Sequence, residues 1–372
     1  MSAGSAQRAG TPLLEVSGLS VDYGVGQDAV HAVIDADLVL YHGEVLGLAG
    51  ESGSGKSTLA QAITRLLRPP GLITGGTVAY HRAPGTVVDL LAAAEGELRA
   101  LRWSQISVVL QSAMNALNPV LSIRSQLTDV LAAHQRGMGK AARQARAAEL
   151  LAMVGISADR LGSHPHELSG GMRQRVMIAM ALALQPHLVI MDEPTTALDV
   201  VTQREILEEL MGLREQLGFA VLFITHDLSL LIEIADSIAV MYAGRLVERA
   251  GASELFRSPR HPYSLGLRAS FPALHGPRQH LTGIPGSPPD LRRLPGGCSF
   301  HPRCPYVMDR CRTQVPPLLG LGEGGGRLAA CWLQDGSAEV PAELSVPAEG
   351  VVPAPSTVGP APSTTPAGGS RP

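Results

Sequence analysis

Aromatic residues are scarce, only 3% of the chain, so with 45% hydrophobic residues the core must be built from Ala, Val, Leu, Ile and Met. Long apolar runs are missing as well. None approaches the roughly 18 residues that a membrane-spanning helix needs, so the chain is expected to reach a membrane only through partners. Residues 1–11 are small and polar, without the apolar stretch of a secretory signal, which predicts a flexible leader on a cytosolic chain. Excess charge is lacking too. Lys and Arg number 30 against 33 Asp and Glu, a formal net charge of −3, so no global field draws in nucleic acid and any anion binding must be local.

Cysteine is the last shortage. The chain has four, all late: Cys298, Cys304, Cys311 and Cys331. A reducing compartment disfavours a disulfide framework, and a metal or cluster fits better. The C-x5-C-x6-C-x19-C spacing does not begin with the two closely spaced ligands of common zinc fingers. Four clustered thiolates still suit a soft metal centre.

The length of 372 residues allows one large α/β domain and a smaller appendage. Leu13 to Tyr23 and Val33 to Leu40 alternate and carry β-branched residues, as antiparallel strands do. Val45 to Ala49 is a short apolar run that predicts a buried parallel strand. From Ser57 the positions Leu59, Ile63, Leu66 and Leu67 have helical spacing, with Pro69-Pro70 as the expected stop. Ile123 to Val154 reads as an inserted helical subdomain. Leu188 to Met191, Val221 to Ile224 and Ile238 to Met241 then alternate with helical segments, the pattern of a parallel sheet with its chemistry at strand C-terminal ends. Beyond about Leu255 proline and glycine multiply, and from about Gly336 a Pro, Ala, Ser and Thr-rich tail predicts disorder.

Gly50-Glu51-Ser52-Gly53-Ser54-Gly55-Lys56-Ser57 matches G-x-x-x-x-G-K-[ST] after an apolar strand and before a helix. Its glycines let backbone N–H groups converge on phosphate, with Lys56 for the β and γ phosphates and Ser57 for Mg²⁺. Leu188-Val189-Ile190-Met191-Asp192-Glu193 has the form of a strand ending in acids. Asp192 would serve the Mg²⁺ shell and Glu193 the attacking water, although an Asp-Glu pair alone is commonly a solvated turn or cap.

Leu168-Ser169-Gly170-Gly171-Met172-Arg173-Gln174 resembles the LSGGQ signature of ABC ATPases. Standing alone it would be a capped helix, with Ser169 as N-cap. The other family elements follow in order: Gln111 is similar to the Q-loop glutamine, Ala197-Leu198-Asp199 to the D-loop, His226 to the switch histidine and Tyr23 to the aromatic that stacks on adenine. Ser112 to Pro119, Pro165 to Met180, Asp192 to Val200, His261-Pro262-Tyr263 and Gly297 to Pro305 resemble the ATPase subunits of oligopeptide and dipeptide permeases and their nickel-uptake relatives.

The resemblance implies a P-loop ABC-type α/β nucleotide-binding domain at about 12–255, with an antiparallel β-subdomain and a helical subdomain at about 112–186. A small cysteine-containing module at 256–334 and a disordered tail at 335–372 would follow. It implies catalysis by Glu193, His226 and Gln111. ATP would be held by Tyr23, Ser52, Gly53, Ser54, Gly55, Lys56, Ser57 and Thr58, and by Ser169, Gly170 and Gly171 of a partner cassette. Mg²⁺ would lie on Ser57, Gln111 and Asp192, and a [4Fe-4S] cluster, with zinc the runner-up, on the four cysteines. The implied work is ATP hydrolysis driving peptide uptake at the cytoplasmic face of the membrane. Its partners would be two membrane permease subunits, a second and different ATP-binding subunit and, indirectly, an external binding protein. Nickel or another small solute is the alternative cargo. A soluble ABC ATPase outside transport is the alternative role.

Overall fold

The computed structural model describes residues 11–83, 85–110, 116–196, 198–270, 283–322 and 326–345. Gln111 and most of the expected leader and tail lie outside them. The early alternation forms β1 (Pro12–Tyr23) and β2 (Val30–Tyr41), paired antiparallel, with β3 (Val45–Ala49) buried at every position. After α1 (Lys56–Ile63), strands β4 (Gly71–Ala83) and β5 (Thr86–Asp89) complete a four-stranded antiparallel sheet in the order β2-β1-β4-β5. Next come α2 (Glu95–Leu101), β6 (Ile106–Val109), and the helices α3 (Ile123–His134), α4 (Lys140–Met153) and α5 (Gly170–Ala181).

Strands and helices then alternate: β7 (Leu188–Asp192), α6 (Val200–Leu217), β8 (Ala220–Ile224), α7 (Leu228–Ile234), β9 (Ser237–Tyr242) and β10 (Arg245–Gly251). The late segment adds α8 (Ala252–Arg257), α9 (Pro262–Ala269), α10 (Asp309–Thr313), β11 (Leu319–Leu321), β12 (Arg327–Ala329) and α11 (Ala342–Ser345). The main sheet has the order β11-β12-β10-β9-β3-β8-β7-β6. Its pairs are parallel from β6 through β9, and antiparallel from β9 through β11. This is the mixed α/β cassette that the sequence predicts.

Both faces of the parallel strands are buried, and strand periodicity sorts their side chains. Val45, Val189, Met191, Val221, Phe223, Ile238 and Val240 enter a core shared with α3 to α7. Leu46, Leu48, Ile190, Leu222, Ile224 and Met241 enter a second core with α1 and the antiparallel sheet. Successive residues pointing to opposite faces explain why these strands read as unbroken apolar runs.

Two expectations are corrected. The helix after the phosphate loop ends at Ile63, not at the prolines, because Arg65 turns left-handed (φ 51°) and the Leu66 N–H returns to the Gln61 carbonyl (2.8 Å). Leu67 packs on the second core outside any helix, so its spacing marked burial alone. Residues 335–345, expected within the disordered tail, are ordered where described. Leu344 is fully buried near Leu265, Tyr306 and Met308, and Arg260 donates to its carbonyl (2.9 Å). Ile123 to Val154 forms two helices, α3 and α4, separated by a turn containing Gly137 and Gly139.

Phe223 is fully buried mid-strand in β8, so Phe223→Ala removes a ring from a close-packed layer. The variant is expected to lose about 3–5 kcal/mol of stability, measured as a lowered urea midpoint at unchanged slope.

Candidate functional site

The loop 50–55 leaves β3 and closes on α1 through backbone that only glycine tolerates. Gly50 has φ 151° and Gly55 φ 103°; a Cβ would stand 2.3 Å from the Met241 carbonyl oxygen at the first and 2.1 Å from that of Ala32 at the second. The loop therefore lies pressed onto β9 and β2. Its tight course buries Lys56 to 6% exposure, where Nζ donates to the carbonyls of Gly50 (2.8 Å) and Glu51 (2.9 Å). Burial lowers the Lys56 pKa, against the pull of Glu193, Asp192 and Glu51.

Strand order brings the other groups to the same edge. β7, β8 and β3 are adjacent and parallel, so the ends of all three and the loops after them lie side by side. Asp192 ends β7 at 1% exposure and accepts a hydrogen bond from Ser57 Oγ (3.0 Å). Burial pushes its carboxyl above the ordinary range, against Ser57 and Lys56.

Glu193 follows with a left-handed backbone (φ 47°), and its N–H donates to the Ile224 carbonyl at the end of β8 (2.9 Å). Its carboxylate meets His226 Nδ1 (3.0 Å) and the Thr196 hydroxyl (2.8 Å). Burial pushes the Glu193 carboxyl up, yet the bonds from His226 and Thr196 outweigh it and hold the pKa below its ordinary value. An ionised carboxylate only accepts, so His226 Nδ1 is the donor in this pair.

Tyr23, at the end of β1, reaches the same loop's helix, with its hydroxyl 3.3 Å from Thr58 Oγ1. Ser52 and Gly53 are exposed at the loop's tip. The signature segment is elsewhere. Ser169 caps α5 by accepting from the Met172 N–H (3.2 Å), and among the described residues no hydrogen bond joins Ser169, Gly170 or Gly171 to the phosphate loop. Gly171 lies where a Cβ would meet Thr202 Cγ2 at 2.7 Å, so α5 and α6 approach closely there. Asp199 caps α6, accepting from the Thr202 N–H (2.9 Å), and Val200 and Val201 beside it are 81% and 69% exposed.

Three partners escaped the sequence reading. Thr196 is one. Glu51 and Arg303 are the others: the Glu51 carboxylate pairs in bidentate fashion with Arg303 (2.8 and 3.0 Å), and the Glu51 N–H donates to the Tyr263 hydroxyl (2.8 Å). No spacing rule links positions 51 and 303; the HisProArgCys run marked Arg303 only by its neighbour Cys304.

The four cysteines come together. Cys298, Cys304, Cys311 and Cys331 are free thiols lining one cavity of about 10 Å³, with His261, Phe300, His301, Tyr306 and Trp332. Such a space holds little more than a water. Among the described residues no group of three or more His, Cys, Asp or Glu is arranged to hold a metal ion, so the thiols share a cavity without converging on one point. Burial raises the Cys298 thiol pKa and pushes Cys304 and Cys331 up to about 12. It presses His261 down to about 3.

Residues 33–196 match the family described as ABC transporter, and residues 247–311 match the one described as oligopeptide/dipeptide transporter, C-terminal region. The chain is 43% identical over 317 residues to the oligopeptide transport ATP-binding protein OppD of Bacillus subtilis, covering 84% of this chain and 87% of that protein. It is 43% identical over 324 residues to the OppD of Haemophilus influenzae, covering 87% and 97% respectively. Among solved structures, the ATP-binding cassette MJ0796, a dimer in a post-hydrolysis state bound to ADP and Pi, superposes with a TM-score of 0.57 at 28% identity, over 64% of this chain and 98% of that one. With its glycine-built loop, acidic strand end and signature helix on this cassette fold, the chain belongs to the ABC transporter ATP-binding proteins that carry the oligopeptide/dipeptide transporter C-terminal region.

Proposed function

We propose that this chain is the ATP-hydrolysing subunit of a peptide importer, one of two cassettes that close on ATP beneath membrane permease subunits at the cytoplasmic face. The observation that carries the reading is the convergence of Lys56, Ser57, Asp192, Glu193 and His226 on one edge of β3, β7 and β8. The loop N–H groups and Lys56 hold the phosphates, and Tyr23 supports the adenine. Magnesium, when bound, neutralises phosphate charge, and the oxygen pair of Ser57 and Asp192 has the hard-donor chemistry for it. Gln111, which lies outside the described residues, would join that shell by its likeness to the Q-loop glutamine. Glu193, kept ionised by His226 and Thr196, orients the attacking water and takes its proton, while His226, similar to the switch histidine, would donate to the γ-phosphate.

Ser169, Gly170 and Gly171 sit apart from their own chain's loop, and the exposed Val200 and Val201 beside Asp199 form an apolar edge fit for burial. Both features support a head-to-tail pairing in which one chain's signature completes its partner's site, the partner being a different paralogue. Peptide cargo, permease subunits and an external binding protein rest on the matched C-terminal region and on relatives named for oligopeptide transport. Among the described residues no helix is long and apolar enough to cross a membrane, in keeping with permeases supplied by other chains. Nickel or another small solute would use the same engine.

The cysteine cavity supports a second reading within the same protein. Its four thiols are the soft donors of a [4Fe-4S] cluster or, as runner-up, zinc, once metal displaces their protons and draws them together. Its role is to staple a segment poor in regular core, with no step of hydrolysis passing through it.

Glu193→Gln is expected to leave ATP affinity within about threefold while lowering turnover by about 10²-fold or more; an unchanged ATPase rate refutes the assignment. Lys56→Ala should abolish measurable ATP binding. Affinity purification from membranes should recover polytopic subunits and a second cassette, whereas recovery of ribosomal proteins or DNA alone points to the non-transport role. Oxygen-free purification with visible absorption and metal analysis should find iron at cluster stoichiometry; a protein holding neither iron nor zinc overturns the metal reading.

A further inference from the structure

Glu51, the second residue of the phosphate loop, is fixed at all its polar ends. Its carbonyl accepts from Lys56 Nζ (2.9 Å) and from the Ser54 N–H (3.2 Å), the bond that closes the turn 51–54. Its N–H donates to the Tyr263 hydroxyl (2.8 Å), and its carboxylate takes both arms of the Arg303 guanidinium (2.8 and 3.0 Å). Farther along, Ser52 and Gly53 are exposed and a Cβ on Gly53 would meet nothing within 4 Å, until the Gly244 N–H holds the Ser54 carbonyl (3.0 Å) and Gly55 presses on β2. The exposed tip of the phosphate-binding turn is thus spanned between two anchors, of which Glu51 is the one made by side chains of the late segment.

Arg303 is a rigid post for that purpose. Its side chain is 5% exposed, against 26% for Glu51, so the pair is not a solvated surface bridge. Its Nε donates to the Pro285 carbonyl (2.8 Å) and Nη1 to the Tyr242 hydroxyl (3.3 Å). The guanidinium also lies 5.8 Å from the Tyr242 ring centre and 6.0 Å from that of Phe300. Tyr263 stands in the same ring cluster, 4.5 Å from Tyr242 and 5.5 Å from Phe300. Arg303 belongs to a single 3-10 turn, His301–Arg303, between Cys298 and Cys304, and the His301 N–H donates to the Cys298 carbonyl (2.9 Å). The cysteine turn and the phosphate loop therefore meet through one side chain.

We propose that Arg303, with Tyr263, is a positioning residue of the nucleotide site: it holds Glu51 so that the loop presents Lys56 and its N–H groups to phosphate, making the cysteine-bearing turn part of the ATP-binding apparatus. A bidentate Arg–carboxylate pair fixes direction as well as distance, which a lysine point charge does not reproduce. The proposal rests on the phosphate loop being the ATP site.

The test uses the full-length chain carrying Glu51→Gln, Arg303→Lys or both, with ATP titration, steady-state ATPase kinetics and thermal melting. Each single variant should raise the ATP dissociation constant about tenfold, the scale of one charge-assisted pair. KM should rise likewise while kcat stays within about twofold. The double variant should bind no more weakly than the poorer single one, since both remove one interaction. Leu151→Ala, which opens the fully buried core under α4 away from this contact, should lower the melting temperature while leaving ATP affinity within about twofold. Folded Glu51→Gln and Arg303→Lys variants with wild-type ATP affinity, or additive losses in the double, overturn the proposal. Should Arg303→Lys fail to fold, Glu51→Gln alone decides. A wild-type chain that binds no ATP, or a Lys56→Ala variant that binds as wild type does, overturns the nucleotide reading itself and this proposal with it.

Discussion

Burying the Lys56 ammonium to 6% exposure creates a demand for oxygen atoms that α1, whose first residue it is, cannot meet from within. Two carbonyls of the loop approach it, and three carboxylates, on Glu51, Asp192 and Glu193, act on it from the surroundings. Those acids come from the loop and from the end of β7, two strands away across β8. The charge is therefore accommodated only if β3, β8 and β7 lie in this order and run in parallel. The same order places His226, just past the end of β8, against Glu193. One buried cation ties the lateral order of the sheet to the layout of the site.

That sheet order in turn depends on both faces being covered. A parallel strand feeding a right-handed crossover returns beside its neighbour, and each crossover helix covers a face. Strands β3, β7, β8 and β9 send alternate residues into two cores, one closed by α3 to α7 and the other by α1 and the antiparallel sheet. Neither cover is dispensable, because each would leave an aliphatic layer against water. Scarce aromatics make this an aliphatic lamination, and three of them, Tyr242, Tyr263 and Phe300, meet beside the phosphate loop.

The strands and the loop were legible because their signals are local. Val45 to Ala49, Leu188 to Met191 and Val221 to Ile224 are unbroken apolar runs, which is how burial on two faces looks in one dimension. The phosphate loop is legible from its glycines, since Gly50 and Gly55 stand where a Cβ has no room. Helix ends were less so: Leu66 and Leu67 keep a helical spacing after the helix has stopped, because Arg65 ends it through a left-handed turn that apolar periodicity does not encode. Residues 335–345 were misjudged on composition, which registers few apolar residues but not that Leu344 finds a niche to fill. The four cysteines, close in sequence, line one cavity. Their distance from convergence depends on side-chain packing around a 10 Å³ cavity, which no spacing describes.

The two stretches that match separate families, residues 33–196 and 247–311, are physically one body. Tyr263, Leu267 and Phe300 of the second belong to the same core as Val45, Val189 and Met191 of the first, and β10 continues the main sheet beside β9. Removing the late stretch would uncover that core's edge and release Glu51 from Arg303 and Tyr263. Two tethers at a single residue would add little if the loop were stiff in itself. Its glycines, however, are the chain's least constrained units, and their freedom has to be removed by something outside the loop. Backbone that must wrap closely around phosphate needs glycine, and glycine needs an external hold; the late segment supplies that hold at Glu51, 252 residues from Arg303 in sequence.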